Sequence, residues 1–119
     1  SLPTYKHVEA MSRFAQLEFE MGSAERGRTL FDGLIAKHPK RLDLFFVYID
    51  KEVKCGDFAV ARTGMRGKVA AAASGKQKLS DKQMKSLFKK WYRLEEEHGT
   101  EESCEEVKEA ARAYVENVA

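Results

Sequence analysis

Apolar side chains recur at helical spacing through nearly the whole chain, with little of the alternation that indicates strands. The clearest case lies in residues 5–21, where two adjoining apolar rows step by three and four positions. The rows are Ala10, Phe14, Leu17 and Met21, and Val8, Met11, Ala15 and Phe19. Such a wide apolar face predicts a helix with neighbours on two sides. The whole pattern predicts an all-α fold of about six main helices.

Residues that begin and end helices stand between the apolar rows. Gly22 is expected to supply a left-handed residue that ends the first helix, and Ser23 to cap the second. The second helix should stop at His38, because the residue before a proline is pushed out of the α region. Two further pairs have the spacing of a capping box, namely Ser80 with Gln83 and Ser103 with Glu106.

The middle of the chain is the weakest helical stretch. Gly64 and Gly67 fall inside the expected fourth helix, and each costs about 1 kcal/mol relative to alanine. We therefore expect residues 62–79 to be the least regular part, with the longest loop at residues 74–78.

Three glycines mark a repeated pattern of residue types. A glutamate stands four residues before each glycine, an aromatic residue eight before, and a bulky apolar residue eleven before. The three sets are Gly22, Glu18, Phe14 and Met11; Gly56, Glu52, Tyr48 and Phe45; and Gly99, Glu95, Trp91 and Phe88. The glycines are 34 and 43 residues apart, which is typical of repeating helix pairs. Residues 1–119 are thus predicted to form one domain, with repeats at about 5–38, 40–73 and 80–118.

The repeated glutamate has two interpretations. It accepts hydrogen bonds from a neighbouring helix, or it faces water. A catalytic carboxylate is the weaker hypothesis, because no second carboxylate or histidine stands with it in a recognisable arrangement.

Composition narrows the classes of function. The 119 residues are 43% hydrophobic and 34% charged, which suits a soluble folded domain. The longest unbroken apolar run, residues 44–49, is too short to cross a membrane. The chain begins without methionine, so we expect a piece of a longer protein. We expect no membrane contact.

Cysteine and histidine usage predicts neither a metal site nor a cofactor. Cys55 and Cys104 are too few for a disulfide framework, which favours a reducing compartment. The three histidines are scattered and do not share a ligand spacing with the cysteines. The dispersed glycines form no phosphate-binding loop or nucleophile elbow, so we expect neither an enzyme nor a small-molecule substrate.

The formal net charge of +2 hides an uneven distribution. Residues 1–50 hold 7 basic and 7 acidic side chains, residues 51–94 hold 12 and 3, and residues 95–119 hold 2 and 9. Within the basic middle, four residues lie on the side of one helix opposite its apolar row, and we call them the basic face: Lys82, Lys85, Lys89 and Arg93. The acidic residues near the end suit a helix N-terminus.

The basic face leaves three interpretations open. It is a solubilising outer surface, a contact for RNA phosphates, or a contact for an acidic partner. Aromatic residues are not interleaved with these lysines, so any RNA contact should be electrostatic, without base stacking.

The recurrence of aromatic, glutamate and glycine in paired helices resembles half-a-TPR (HAT) repeats. Several segments are similar to the C-terminal HAT region of the ribosomal RNA-processing protein five family. They are residues 14–22 (FAQLEFEMG), 25–41 (ERGRTLFDGLIAKHPKR), 87–91 (LFKKW), 97–101 (EHGTE) and 107–115 (VKEAARAYV). One stretch departs from the family pattern, since residues 62–67 read RTGMRG. There Gly64 and Lys68 stand where the first repeat has Leu30 and Leu34.

The resemblance implies antiparallel helix pairs stacked as a right-handed α-α superhelix. It also implies a nuclear and nucleolar protein-interaction scaffold for pre-rRNA processing and small-subunit assembly, with large-subunit assembly served through the whole protein. Its partners would be other ribosome-assembly proteins, while S1 domains outside this chain would bind most of the pre-rRNA. Two alternatives are a direct electrostatic RNA-binding module on the basic face and a HAT scaffold of another RNA-processing complex.

Overall fold

The computed structural model describes residues 4–76 and 78–118, with side chains for residues 7–76 and 78–117. These residues form six helices. They are α1 (Thr4–Met21), α2 (Ala24–Lys37), α3 (Leu42–Lys54), α4 (Phe58–Ala73), α5 (Asp81–His98) and α6 (Glu101–Val118). The described residues include no strand, so the all-α prediction is confirmed. The chain divides into two compact units, Ser1–Asp57 and Phe58–Ala119. Stacking of the helix pairs into a superhelix stays a prediction.

Most of the predicted helix ends are confirmed. The Ser23 side chain accepts a hydrogen bond from the backbone N–H of Arg26 at 3.5 Å, and α2 ends at the residue before His38. Ser80 and Gln83 form the expected capping box, with reciprocal bonds of 3.0 and 3.1 Å. These caps satisfy backbone N–H groups that have no acceptor inside their own helix.

Two predictions about helix ends are wrong. Gly22 is not left-handed, because the positive φ angles of the described residues belong to Gly56 and Gly75. The α6 cap is Thr100 rather than Ser103. The Ser103 N–H donates to Thr100 Oγ1 at 3.2 Å, and the Thr100 N–H donates to Ser103 Oγ at 2.8 Å. Ser103 thus fills the role that a glutamate or glutamine has in a capping box.

The expected irregularity within residues 62–73 is also wrong, because α4 runs unbroken from residue 58 to residue 73. Met65 is fully buried in it, and Val69 is 7% exposed. Burial of these side chains outweighs the low helix propensity of the two internal glycines. Residues 74–80 are the longest connection between helices, as predicted, although Gln77 lies outside the described residues.

The first unit is built around three aromatic rings, one from each helix. Phe19, Phe31 and Tyr48 have ring centroids 5.7 to 6.3 Å apart. Here α1 packs on both α2 and α3, and α2 packs on α3. Gly27 of α2 lies directly against the Phe19 ring, which allows close approach of the two helices.

In the second unit, α4 packs on α5 and α5 packs on α6. Its core is made of side chains that are 3% exposed or less: Ala61, Met65, Met84, Leu87, Trp91 and Val107. Ring contacts extend this core, because Phe88 of α5 lies 6.0 Å from Tyr114 of α6 between centroids.

Two glycines of α2 should respond oppositely to alanine. In Gly27→Ala the new methyl group would lie within 3 Å of the buried Phe19 ring, so we expect a loss of about 1–3 kcal/mol in the free energy of unfolding. In Gly33→Ala nothing lies within 4 Å, so better helix propensity should add about 0.5–1 kcal/mol. Urea unfolding measures both, and equal effects would contradict the close approach.

Candidate functional site

The repeated glutamate of α3 is the centre of a buried polar contact between α2 and α3. Glu52 is fully buried, and its Oε2 accepts hydrogen bonds from Arg28 Nε at 2.7 Å and from the Tyr48 hydroxyl at 2.8 Å. Arg28 also donates to Asp57 at 2.9 Å. Glu52 Oε1 has no hydrogen-bond partner among the described residues. We call Arg28, Tyr48 and Glu52 the first triad.

The same arrangement recurs between α4 and α5. Glu95 is 1% exposed, and it accepts hydrogen bonds from Arg62 on both oxygens, at 2.6 and 2.9 Å. Trp91 Nε1 donates to Oε2 at 3.1 Å, in the role of the Tyr48 hydroxyl. We call Arg62, Trp91 and Glu95 the second triad. In each triad, the second helix of one repeat holds the first helix of the next.

The triads change the pKa values of their members. Burial and the hydrogen bond to Glu52 raise the pKa of Tyr48, so the phenol stays protonated. The hydrogen bond to Glu52 likewise raises the pKa of Arg28. Burial alone would raise the pKa of Glu95, but hydrogen bonds from Arg62, Ser103 and Trp91 outweigh it and lower that pKa. The Glu95 carboxylate therefore acts as an acceptor for fixed donors rather than as a proton carrier.

The arginines of the triads were missed by the sequence reasoning, although a signal was present. Arg28 and Arg62 each stand six residues after a repeat glycine, and each is the fifth residue of its helix. In α6 that position is occupied by Glu105. The pattern of aromatic, glutamate and glycine therefore extends to an arginine in the next helix, in two repeats of three.

The glycine of the repeat also has a packing role. In the third repeat, a Cβ on Gly99 would collide with the Glu95 carboxylate and with Ser103 Oγ. In the first repeat, a Cβ on Gly22 would come within 2.7 Å of Glu18 Oε2. Gly56 differs, because its φ is +84° and nothing lies near its Cβ position. Glycine thus leaves room for the carboxylate in two repeats and turns the backbone in the other.

Lys68 occupies the position of Leu34 in the first repeat, and it is buried all the same. Its exposed fraction is 6%, against 7% for Leu34, and burial lowers the pKa of its ammonium group. A lysine stem covers apolar surface much as a leucine does. The departure from the family pattern at residues 62–68 is therefore accommodated within a regular helix.

The four residues of the basic face are all exposed. They lie on α5 opposite the buried Met84, Leu87 and Trp91. None of the four forms an ion pair with another residue in the described ranges. Their charges are therefore available to solvent or to a partner of opposite charge. Their role as a binding site stays a prediction.

Acidic side chains cover the outer side of α6. Glu101, Glu102, Glu105 and Glu109 are exposed, and the first two lie in its first turn, where the helix dipole favours negative charge. Lys108 and Arg112 pair with some of them at 3.2 to 3.3 Å. This surface is thus partly neutralised within its own helix.

Among the described residues, no group of three histidine, cysteine, aspartate or glutamate side chains could hold a metal ion. None of the helices described is both long and apolar enough to span a bilayer. Cys55 and Cys104 are free thiols.

The chain is similar to curated rRNA biogenesis proteins over nearly its whole length. It is 44% identical over 115 residues to the rRNA biogenesis protein rrp5 of Schizosaccharomyces pombe. It is 41% identical over 113 residues to rRNA biogenesis protein RRP5 of Arabidopsis thaliana, and 37% over 115 residues to the human Protein RRP5 homolog. These matches cover 95–97% of the chain but only 6% of each relative. No family model matches the chain.

Two arginines of α4 should differ sharply in importance. Arg62→Ala would leave the Glu95 charge buried without its strongest donor, so we expect a loss of about 2–4 kcal/mol in the free energy of unfolding at pH 7. Arg66→Ala is the matched control, because Arg66 pairs with Glu106 at the surface, and its loss should cost at most about 1 kcal/mol. Equal losses in urea unfolding would contradict the role of the second triad.

The pH dependence provides a second check on the same variant. A carboxylate with a lowered pKa adds stability above its ordinary pKa of 4.5 and loses that contribution as the pH falls. In Arg62→Ala, burial favours the protonated form of Glu95. Lowering the pH therefore reduces the loss in the free energy of unfolding that this substitution causes. The stability difference from the parent should therefore narrow as the pH falls from 7 through 4.5. A constant difference over that range would be evidence against the buried charge.

Proposed function

Because the chain belongs to the RRP5 family of rRNA biogenesis proteins, we propose that it is a protein-interaction scaffold of a ribosome-assembly factor. It supports pre-rRNA processing and small-subunit precursor assembly, and through the whole protein large-subunit assembly as well. Its partners are other assembly proteins of pre-ribosomal particles, and it works in the nucleus and nucleolus. The chain spans only 6% of the length of the relatives named above.

The observation that carries this proposal is the use of the buried polar groups. Glu52 and Glu95 are each bonded to an arginine and an aromatic donor across a helix junction. Groups held in this way fix the helices in register. The charged residues that remain available lie on outward helix faces, which is what a docking surface requires.

The same observation makes an enzymatic function the weaker hypothesis. A general acid or base must exchange protons with a substrate, and an ionised carboxylate bonded to arginine is a poor proton carrier. The repeated glutamates, which are the most regular acidic feature of the sequence, are therefore better assigned to holding the repeats together.

A second candidate function is favoured by the basic face. Its four cations are exposed and without ion pairs among the described residues, so each can contact a phosphate. Such binding would be electrostatic and would weaken steeply with salt. In the proposed scaffold this contact is secondary, because S1 domains elsewhere in the longer protein would bind most of the pre-rRNA.

The scaffold proposal predicts partners that do not depend on RNA. The tagged chain should retain ribosome-assembly proteins from a nuclear extract after complete nuclease digestion, because helix faces rather than RNA would hold them. Quantitative mass spectrometry of the retained proteins is the measurement, and tag alone is the control. Loss of every assembly protein on nuclease treatment would count against the scaffold.

The RNA-binding candidate predicts a different result in a purified system. Changing Lys82, Lys85 and Lys89 to glutamate should weaken binding to a pre-rRNA transcript and reduce the slope of log affinity against log salt by about 2–3. A salt titration followed by fluorescence anisotropy measures both quantities.

A control for net charge is available in the same chain. Lys37, Lys54 and Lys76 are exposed and do not belong to α5, and changing them to glutamate alters the net charge equally. A local contact predicts that only the α5 variant loses the salt-dependent binding. Equal losses in both variants, or unchanged affinity in the α5 variant, would reject the basic face as an RNA site.

A further inference from the structure

One side of α1 presents positions that the next two repeats bury or half-bury. Counted back from the repeat glycine, positions twelve, eleven, eight, five and four lie on one side of the helix. On α1 these positions form what we call the open α1 face: Ala10, Met11, Phe14, Leu17 and Glu18. Four of the five are exposed, and Glu18 is half-buried. A second apolar side was predicted for this helix, and within the described residues it has no covering helix.

Comparison with the equivalent residues shows how unusual this exposure is. Phe14 is 52% exposed, whereas Tyr48 and Trp91 are 9% and 3% exposed at the same position. Met11 is 38% exposed, whereas at its position Phe45 is 5% exposed and Phe88 is half-buried. The α1 residues thus have the character of a repeat junction, but not its burial.

In both complete junctions, the covering helix is the one that directly precedes the covered helix in the chain. Arg28 of α2 lies on α3, and Arg62 of α4 lies on α5. Each arginine is the fifth residue of its helix, and it donates to the repeated glutamate through Nε at 2.7 or 2.9 Å. Two junctions therefore show the same feature of a covering helix, namely an arginine at its fifth residue that donates to the repeated glutamate of the next helix.

Glu18 is the acceptor that lacks this donor. It makes no hydrogen bond or ion pair with a residue in the described part of the chain. Its Oε2 lies beside Gly22, as the Glu95 carboxylate lies beside Gly99 in the second triad. A carboxylate set among exposed apolar side chains fits an incoming arginine on an apolar helix.

A second copy of this chain is a poor occupant. Joined end to end, it would present its last helix, α6, and the fifth residue of α6 is Glu105. That placement would set one carboxylate against another, which disfavours the contact. The occupant must carry the opposite charge at this position.

We propose that the open α1 face is the docking surface for a helix lying directly before α1 in the longer protein, and that this helix donates an arginine to Glu18. The relatives extend far beyond the matched region, so such a segment has room in a protein of this family. The two observed spacings from arginine to glutamate are 24 and 33 residues. The natural sequence should therefore have an arginine 24–33 residues before Glu18, in a helix with apolar residues at three- and four-residue steps.

The four methionines of the chain provide an internal test in the full-length protein. Met65 and Met84 are at most 1% exposed and set the rate for buried methionine. Met21 is 82% exposed, and its equivalents in the covered repeats, Cys55 and His98, are also exposed, so it sets the rate for exposed methionine. Treatment with hydrogen peroxide followed by mass spectrometry gives each rate.

The expected result concerns Met11. In the full-length protein it should be oxidised at least about tenfold more slowly than Met21, near the rates of the buried references. A Met11 rate within about twofold of Met21 would show an uncovered face and overturn the proposal.

Charge variants of the full-length protein test the arginine. Glu18→Lys should restore rapid oxidation of Met11, because the two cations repel. Glu9→Lys is the matched control, since Glu9 lies on the opposite side of α1 and should leave Met11 protected. Changing the upstream arginine to glutamate together with Glu18→Lys should restore protection. Protection that persists in Glu18→Lys, or that the double change does not restore, would overturn the proposed contact.

This inference goes beyond the scaffold function and fails separately from it. An unprotected Met11 would leave the nuclease-resistant partners in place, because the scaffold proposal does not require the open α1 face to be covered. Loss of the partners would leave the Met11 result unchanged. The two outcomes are therefore distinguishable.

Discussion

The buried glutamate at each helix junction is the interaction on which the rest of the structure depends. An ionised carboxylate that is 0–1% exposed is strongly destabilising unless donors surround it. Arg28 with Tyr48, and Arg62 with Trp91, supply those donors from fixed positions. Because hydrogen bonds are directional, each triad admits one register of its two helices, which an apolar contact alone would not select.

The two triads differ in how many oxygens of the buried carboxylate receive a hydrogen bond, and the difference follows from their arginines. Arg62 gives both donors to Glu95, so both carboxylate oxygens are bonded. Arg28 divides its donors between Glu52 and Asp57, which leaves Glu52 Oε1 without a described partner. An unpaired buried oxygen costs free energy, so the first triad contributes less for the same burial. Asp57 in return ties the end of α3 to α2.

The sequence predicted the helices and the repeat well, and the partners of the repeat poorly. Apolar spacing at three and four residues predicted the number of helices, and local cap signals at Ser23 and Ser80 were correct because their bonds span three residues. The contacts of Glu52 and Glu95 span 24 and 33 residues, and no local rule connects them. Local propensity also failed in α4, where burial of Met65 overrides Gly64 and Gly67. Gly22 was misread because its role is to admit a side chain, which backbone preference does not reveal.

The separation of inward and outward charges decides which residues of such a repeat can be substituted without disturbing its helix junctions. In the triads, the inward charges are paired with each other. On the basic face of α5, none of the four cations forms an ion pair with a described residue. Substitution of an exposed residue away from such contacts usually changes stability by less than about 0.5 kcal/mol. The outward faces can therefore vary in charge while the junctions stay intact. By the same reasoning, a change at a triad residue alters the packing of the two helices at its junction, and it affects the outward faces only through that displacement.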